Sequence, residues 1–566
     1  MATVNDMNAS YYGIKPFGAT PNERQLRMYE IGKKAFFHFG VNTFNNVEWG
    51  DGTESASVFN PTDTDVRSWI RDVKSAGFKM AILTAKHHDG FCLWPSKYTE
   101  HSIKNSPYKN GEGDLVREFT DACREYGLKV GIYVSPWDRN APFWGTPEYT
   151  SYYVNQLTEI LTEYGEIDEI WWDGAGSSNA LYDYGLWAYT VRKYQPGAVI
   201  FASMGAAAYA EQRWVGNEAG YAGSTHYASI NYDMIRNEVI EDINRGIIGG
   251  EMYVPAEVDV SIRPGWFYHK DQDSKVKSSR TLDDIWFKSV GRNAMMLLNF
   301  PPDRRGRLVD TDVHNAVESN RRINKMLSVN YADDARLHAD STYCDRTEVC
   351  NAVLDDKNLF FATNETKNEA VIDIELSHDC SYNVLMLGEK VELGERITSF
   401  KLEAIDGDRL IHIADGTSVG YLKATRFKEC SYRKLRLTLV GIVAPITLRH
   451  LALHRYDEDK NDPVGSITKD NLAKNESTSI TMSADRKEVV INFGGIYPFD
   501  TISFVGALWG KYEFFAFDGS KFYSIGEGNS PDYRVTLKLE SPIENAYQIK
   551  IICENGFSTD PDFMVY

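Results

Sequence analysis

The sequence predicts an α/β fold in which a (β/α)8-like TIM barrel is followed by C-terminal antiparallel β-sandwich domains. The chain has 566 residues, and at about 150 residues per domain this length predicts three or four domains. Over the first 330 residues or so, apolar runs alternate with segments of helical period, which is typical of a parallel sheet. Beyond that point apolar and polar residues alternate with period two, which is typical of antiparallel strands.

Short runs rich in apolar, β-branched or aromatic residues are the predicted barrel strands. They cover residues 35–39, 80–85, 130–134, 167–172, 199–202, 213–216, 252–254 and 294–300. Eight strands with intervening helices over roughly 300 residues fit a closed barrel better than an open doubly wound sheet. No GxGxxG or Walker loop follows any of these runs, which argues further against an open nucleotide-binding sheet.

Three of the intervening segments have clear helix signals. In the first, apolar residues recur at helical spacing before Gly77, and Asp63 or Thr64 is available as the N-cap. In the second, Asp114 is the expected N-cap and Gly127 the expected stop, just before a strand.

The third helix signal and two weaker ones complete this part of the chain. Thr146-Pro147 opens the third segment as a cap followed by proline at the first helical position, and Gly165 closes it. Signals around residues 205–211 and 230–245 are weaker, so we expect an irregular barrel.

The second half of the chain predicts two sandwiches. Period-two runs at 370–376, 435–439 and 446–451 predict a first antiparallel sandwich over residues 331–456. The polar stretch 457–463 is typical of a linker. Runs at 489–493, 512–517 and 548–552 predict a second, smaller sandwich over residues 465–566. The barrel domain is then residues 1–330.

Composition limits the partners of this protein. With 61 Lys and Arg against 80 Asp and Glu, the formal charge is −19, which makes binding to nucleic acid or to anionic lipid unfavourable. No apolar run approaches the ~18 residues of a membrane-spanning helix. The first residues have neither a basic nor an apolar signal region, so we expect a cytoplasmic protein, or a secreted or periplasmic one if a signal peptide was removed. Seven cysteines without a CxxC pair predict reduced, scattered thiols.

Functional side chains of a barrel of this type surround the mouth at the C-terminal ends of the strands. The residues that close the predicted strands are unusually rich in Trp, His and carboxylates. They include His38, His87, His88, Asp89, Tyr133, Trp137, Asp173, Glu218, Glu251, Glu257, Arg263 and Trp266. Aromatic rings stack on the C–H faces of sugars while polar side chains bind hydroxyls, so this set favours a neutral polyhydroxylated ligand.

Carboxylates at such a mouth can supply glycoside hydrolysis, which needs one acid and one nucleophile or base. Asp173 is the first candidate because it follows a buried strand, precedes a glycine and neighbours two tryptophans; the alternative is an N-cap of the next helix. Glu218 is the preferred partner, with Glu251 and Glu257 as rivals. Glu218 could instead be a loop residue paired with Arg213 or Arg263.

Chemistry constrains such a pair. The acid must hold its proton near neutral pH, through burial or through the charge of Asp173, and Asp173 must stay ionised through hydrogen-bond donors. We expect no cofactor and no metal. His87-His88-Asp89 has ligand chemistry, but adjacent residues on a strand point to opposite faces, so both imidazoles would reach one ion only if the strand broke there. Hydrogen bonding to ligand hydroxyls is preferred, with structural histidines as the alternative.

Four motifs together resemble the α-L-fucosidases of glycoside hydrolase family 29. They are Phe37-His38-Phe39-Gly40, Lys86-His87-His88-Asp89-Gly90-Phe91, Trp171-Trp172-Asp173-Gly174 and Leu297-Leu298-Asn299-Phe300-Pro301-Pro302-Asp303. The resemblance spans nearly the whole barrel region. It implies a retaining mechanism in which Asp173 forms a fucosyl-enzyme ester and water resolves it.

The same resemblance implies roles for other residues. Glu218, in Trp214-Val215-Gly216-Asn217-Glu218, is similar to the acid/base of the branch that acts on α-1,3- and α-1,4-linked fucose in branched oligosaccharides and glycoconjugates. Trp266 would close the pocket near the sugar methyl group, and Arg263 and Glu257 are further candidates. The residues implied to bind the fucose ring and hydroxyls are His38, Trp49, His87, His88 and Tyr133.

Two other function classes stay open at the level of the sequence. A different TIM-barrel glycosidase would be distinguished by a screen of aryl glycosides. A non-catalytic carbohydrate-binding protein is the more distant alternative, because the candidate carboxylates are intact.

Overall fold

The computed structural model describes residues 11–176, 182–202, 208–237, 240–354, 356–457, 479–507, 510–517, 521–530 and 534–565. The chain forms two compact units, Met1–Asp457 and Glu458–Tyr566. No helix among the described residues combines the length and the apolar character needed to cross a membrane. Each of the seven cysteines is a free thiol.

A closed eight-stranded barrel opens the first unit. Its strands are β1 (Lys33–Phe37), β2 (Met80–Lys86), β3 (Lys129–Val134), β4 (Glu169–Trp172), β5 (Val199–Ala202), β6 (Gln212–Trp214), β7 (Ala256–Ser261) and β8 (Met295–Asn299). All eight are parallel, and β8 pairs with β1 from Lys33↔Met296 to Phe36↔Asn299 to close the cylinder. The predicted fold class, a TIM-like barrel followed by antiparallel sheets, is confirmed.

The seventh predicted strand was wrong. Residues 252–253 form a short antiparallel pair with Ser229–Ile230, and the barrel strand is Ala256–Ser261. The sequence conceals this strand because Glu257 and Asp259 interrupt its apolar pattern. Both side chains are buried, which is tolerated because partners from other strands bind them.

Helices surround the barrel and follow their local signals. Their bounds are Glu23–Ile31, Val41–Asn45, Val66–Ser75, Leu115–Tyr126, Pro147–Glu163, Tyr184–Tyr194, Tyr232–Asn237, Ile240–Arg245, Ser279–Lys288 and Asp310–Leu327. Asp114 caps its helix by accepting a 2.9 Å hydrogen bond from Arg117 N, as predicted. The first cap prediction, Asp63 or Thr64, was wrong by two or one residues, since Asp65 accepts from Ser68 N at 3.1 Å. Residues 205–207 of the weak helix signal at 205–211 lie outside the described residues.

Antiparallel sheets follow in the first unit. A five-stranded sheet has the order Arg336–Ala339, Glu369–Glu375, Lys434–Gly441, Ile397–Asp406, Arg409–Gly416. A three-stranded sheet has the order Lys423–Cys430, Tyr382–Gly388, His450–His454, and Phe361–Ala362 pairs with Thr447–Leu448. Alternate side chains of these strands form one apolar core.

The second unit is also antiparallel. Its strands are Ser479–Met482, Glu488–Ala507, Gly510–Phe517, Phe522–Ser530, Arg534–Cys553 and Phe557–Val565. Their buried aromatic and aliphatic residues form a separate core. The predicted linker beyond Asp457 lies outside the described residues, and the division into domains 1–330, 331–456 and 465–566 stays a prediction.

Candidate active site

Asp173 lies directly after β4, at the mouth of the barrel. Its Oδ2 accepts a 3.0 Å hydrogen bond from the Tyr133 hydroxyl and lies 3.6 Å from His88 Nε2, and its Oδ1 accepts from Ala175 N at 2.8 Å. The side chain keeps 25% of its surface exposed. The carboxylate thus has a hydrogen-bond donor on each oxygen and remains open to a ligand on one side.

The alternative role of Asp173 as a helix cap is excluded. The helix after β4 begins at Tyr184, and Asp183 caps it by accepting from Leu186 N at 2.9 Å. Asp173 instead holds its own loop through Ala175 N. Gly176 lies in that turn at φ 70°, and a Cβ there would lie 2.2 Å from the Trp137 ring. The Trp137 ring therefore supports the loop that carries Asp173.

Glu218 follows β6 on the same mouth. Its Oε2 accepts a 3.1 Å hydrogen bond from Trp266 Nε1. Burial raises the pKa of the Glu218 carboxyl, the indole hydrogen bond opposes this by a smaller amount, and the charge of Asp173 raises it further. The net shift is upward, so this carboxyl holds its proton to higher pH than an ordinary glutamate.

The loop-pairing alternative for Glu218 is also excluded. Arg213 is buried and donates to the backbone carbonyls of Ala228 and Tyr227. Arg263 binds Asp312. Neither guanidinium pairs with Glu218.

Three histidines form one wall of the mouth. β2 ends at Lys86, so His87 and His88 lie beyond the regular strand and their ring centroids are 4.1 Å apart. His38 stands 5.6 Å from His87. Burial lowers the pKa of all three, that of His38 to about 3. Neutral imidazoles suit hydroxyl groups better than they suit anions.

No metal cluster occurs in the described part of the chain. There, no group of three or more His, Cys, Asp or Glu side chains is arranged to hold an ion. His88 Nδ1 is bonded to Ser135 Oγ at 2.8 Å. The double-histidine motif thus has protein partners on its inner side.

Two tryptophans flank the histidine wall. Trp266 lies 5.0 Å from His38, centroid to centroid. Trp49 is perpendicular to His88 at 5.6 Å and to Trp137 at 5.4 Å, and it is 55% exposed at the rim. Aromatic rings placed like these two bind apolar C–H surfaces of a ligand.

The polar groups of Glu257 and Arg263 are bound by other side chains of the protein and are not free to contact a ligand at this mouth. Glu257 is buried inside the barrel, where it pairs with Lys34 and accepts from Trp171 Nε1 at 2.8 Å. Arg263 is bound by Asp312 and Asp273, both at 2.7 Å. Glu251 accepts from Tyr232 N at 3.1 Å. The structure therefore separates these residues from Glu218, as the sequence alone did not.

Sequence reasoning missed two acidic residues that support the mouth through hydrogen bonds. Glu48 accepts from the backbone N–H groups of Trp266 and Phe267 at 2.8 and 3.3 Å and contacts His269 Nε2 at 2.5 Å. Asp259 is buried and accepts from Trp214 Nε1 at 2.9 Å. Alternation of acidic residues in 256–261 was the available signal for Asp259, and adjacency to Trp49 was the only signal for Glu48.

A family model and a relative of known name carry the same description. Residues 19–329 match the family model described as Alpha-L-fucosidase. The chain is 40% identical to Alpha-L-fucosidase 1 of Arabidopsis thaliana over 427 residues, which cover 73% of this chain and 82% of the relative.

Two solved structures extend the likeness to the fold. A glycoside hydrolase 29 family member from an unknown rumen bacterium has TM-score 0.70 and 31% identity, covering 98% of this chain and 100% of its own. A Ruminococcus gnavus GH29 fucosidase in complex with fucose has TM-score 0.73 and 30% identity, covering 78% and 96%.

Proposed function

The chain belongs to the alpha-L-fucosidase family and is a glycoside hydrolase of that class, and from this premise we propose that it is a retaining exo-fucosidase. Asp173 is the nucleophile and Glu218 the general acid and base. The observation that carries this proposal is the pair itself. The Asp173 carboxylate, which accepts a hydrogen bond from Tyr133, lies on the same mouth as the Glu218 carboxyl, whose pKa is raised.

The first step forms a glycosyl ester. A carboxylate oxygen of Asp173 attacks the anomeric carbon of fucose while Glu218 gives its proton to the glycosidic oxygen. The bond from the anomeric carbon to that oxygen breaks, and the remaining glycan leaves as an alcohol. Glu218 is then ionised.

The second step is hydrolysis of the ester. Glu218 takes a proton from a water molecule, whose oxygen attacks the anomeric carbon. The ester bond to Asp173 breaks, which releases fucose and restores both carboxyl groups. A retaining pair of this kind requires carboxyl groups about 5–5.5 Å apart.

The sugar is bound by the histidine wall and the flanking rings. His38, His87 and His88 supply neutral ring nitrogens for hydroxyls, Tyr133 lies beside Asp173, and Trp49 and Trp266 contact apolar faces. Arg263 and Glu257 are not carried into this proposal as sugar ligands, because internal partners bind their polar atoms.

The substrate we propose is α-1,3- or α-1,4-linked fucose on branched oligosaccharides or glycoconjugates. The run from Trp214 to Glu218 resembles that branch of the family, and the R. gnavus relative is described in complex with fucose. The exposed Trp49 at the rim supports binding of a sugar beyond fucose. Catalysis uses no cofactor in this scheme.

The decisive test is product analysis on a panel of linear and branched fucosides. The purified full chain is incubated with α-1,2-, α-1,3-, α-1,4- and α-1,6-linked oligosaccharides, and free fucose is quantified. Proton NMR of an aryl fucoside reaction identifies the anomer formed first. We expect the α-anomer and release from branched α-1,3/1,4 substrates. Early β-anomer would overturn the retaining mechanism, and preferred release from α-1,2 or α-1,6 linkages would overturn the substrate assignment.

A further inference from the structure

Asn299 ends β8 and is completely buried behind the histidine wall. Its Nδ2 donates to Trp266 O at 2.7 Å and to Ser261 Oγ at 2.9 Å. The Ser261 hydroxyl proton is committed to Gly265 O at 2.7 Å. A carbonyl and a hydroxyl oxygen of this kind can only accept, so both fix the amide nitrogen on this side.

The amide oxygen of Asn299 therefore faces His38. Oδ1 lies 2.9 Å from His38 Nδ1 and accepts from His38 N at 3.2 Å. An amide oxygen has no proton to give, so the proton in the shorter contact belongs to Nδ1. Because burial lowers the pKa of His38 to about 3, the ring is neutral and its Nε2 has a free lone pair.

That lone pair is on the side of the ring directed at the mouth. Within the part of the chain that is described, no hydrogen bond is made by His38 Nε2. The titratable side chains nearest the ring are Asp173, His87, His88 and Tyr133. Burial lowers the pKa of His87 and His88, and it lowers the pKa of His38 by more than the charge of Asp173 raises it, so Nε2 of His38 remains an acceptor.

We propose that Asn299 is a positioning residue that fixes His38 as an acceptor for one hydroxyl of the substrate sugar. This inference rests on the proposed function, because it assumes that a sugar enters the mouth. Asn299 does not touch the sugar. It sets which of the two imidazole nitrogens carries the proton, and hence the direction of the hydrogen bond that the sugar must make.

The same amide also holds the acid side of the pocket. Trp266 O is bound by Asn299, and the Trp266 indole donates to Glu218 Oε2 at 3.1 Å. One side chain therefore connects the sugar-binding imidazole with the indole beside the acid.

Asn299→Asp is the sharpest variant. It keeps the shape and an acceptor for His38 Nδ1, but its negative charge raises the pKa of His38. Below that raised pKa, Nε2 carries a proton and donates instead of accepting. In Asn299→Asp we expect the acid limb of the kcat/KM profile for an aryl fucoside to lie at least about one pH unit above that of the wild type. At pH 5 we expect kcat/KM of the variant to be about 10-fold or more below the wild-type value.

A matched control is available in the sandwich. Asn383 is buried, donates to Tyr456 O at 2.9 Å and accepts from Tyr456 N at 2.8 Å. Asn383→Asp introduces the same buried charge away from the mouth and should leave the pH profile of kcat/KM unchanged. An unshifted acid limb in folded Asn299→Asp would overturn the proposal, as would an equal shift in Asn383→Asp.

A double-mutant cycle tests whether Asn299 acts through His38. We expect Asn299→Ala and His38→Ala each to reduce kcat/KM by about 10- to 100-fold. In the His38→Ala background the Asn299 change should cost clearly less than in the wild type, because only its contacts with Trp266 and Ser261 remain. Losses that multiply would overturn the proposal.

Nitrogen NMR of the labelled wild-type chain serves if these variants do not fold. It reads which ring nitrogen of His38 is protonated, and a proton on Nε2 would overturn the proposal. Aryl fucoside hydrolysis by the wild type is measured first. Its absence would remove the proposed function itself, whereas hydrolysis with a protonated Nε2 would remove only this inference.

Discussion

Carboxyl groups occur both at the mouth and in the interior of the barrel, but the groups that bind them differ. In the interior, Lys34 pairs with Glu169 and Glu257 and bonds Gln212 Oε1 at 3.0 Å, and Trp171 covers Glu257. At the mouth, Asp173 and Glu218 each have neutral donors and no cation partner among the described ion pairs. A buried cation neutralises the interior carboxylates, whereas the two carboxyl groups at the mouth have only neutral hydrogen-bond donors.

This difference explains why pattern alone did not separate Glu218 from Glu257. Both are glutamates at or near predicted strands of one barrel. Their roles depend on what lies opposite them across the barrel. A carboxylate that is already hydrogen-bonded to a buried cation is not free to bind a substrate.

The largest expected effect concerns the nucleophile at the mouth. Asp173→Asn should lower kcat/KM for every fucoside by at least about 10⁴-fold, because the amide cannot form the ester. Steady-state kinetics with an aryl fucoside measure it. Asp183→Asn is the matched control, since asparagine also caps a helix. Comparable losses in both variants would place the nucleophile elsewhere.

The second effect concerns the acid. Glu218→Ala should reduce kcat/KM by about 10²- to 10⁴-fold for oligosaccharides, but far less for aryl fucosides, whose leaving groups need no proton. Azide should restore turnover and yield a fucosyl azide. In the wild type, activity falls as pH rises through the raised pKa of Glu218, and Glu218→Ala should lose this basic limb. If Glu257→Ala shows this profile instead, the assignment is reversed.

The third effect tests the interior. Lys34→Met removes the cation from two buried carboxylates and should lower the free energy of unfolding by about 3–5 kcal/mol. Burial and the charge of Glu257 already raise the pKa of Glu169 to about 8, and loss of Lys34 raises it further. Carboxyls with raised pKa destabilise the fold above their unfolded pKa, so the deficit should shrink as pH falls. Urea unfolding at several pH values measures it, and a pH-independent deficit would contradict this account.

The smallest effect concerns the support of the nucleophile. Gly176→Ala places a Cβ against the Trp137 ring and should displace the 173–176 loop, lowering kcat/KM by about 10-fold. Gly145→Ala is the matched control, since Gly145 has φ 81° with nothing within 4 Å of its added Cβ. Both variants share the strain of positive φ, about 1 kcal/mol, so only Gly176→Ala should lose activity. Equal kinetics would show that the Trp137 contact does not position Asp173.

Much of the fold was accessible from local patterns. Buried strands such as 80–86 begin with a continuous apolar run, here residues 80–83, and Asp114 and Gly127 delimit their helix as predicted. The seventh strand was missed because Glu257 and Asp259 look like loop residues until Lys34 and Trp214 are placed opposite them. Those partners come from other strands, and no local window contains both members.

The side chains at the mouth also depend on partners that lie far away in the sequence. The sequence by itself determined most of the order of strands and helices, and it placed Asp173 directly after its strand, because hydrophobic periodicity and capping act within a few residues. Only the tertiary structure decided that Glu218 faces the open mouth while Glu257 is bound inside, and that Asn299 directs the His38 ring. These outcomes depend on burial and on hydrogen bonds between residues far apart in the chain, and both are fixed only when the barrel closes.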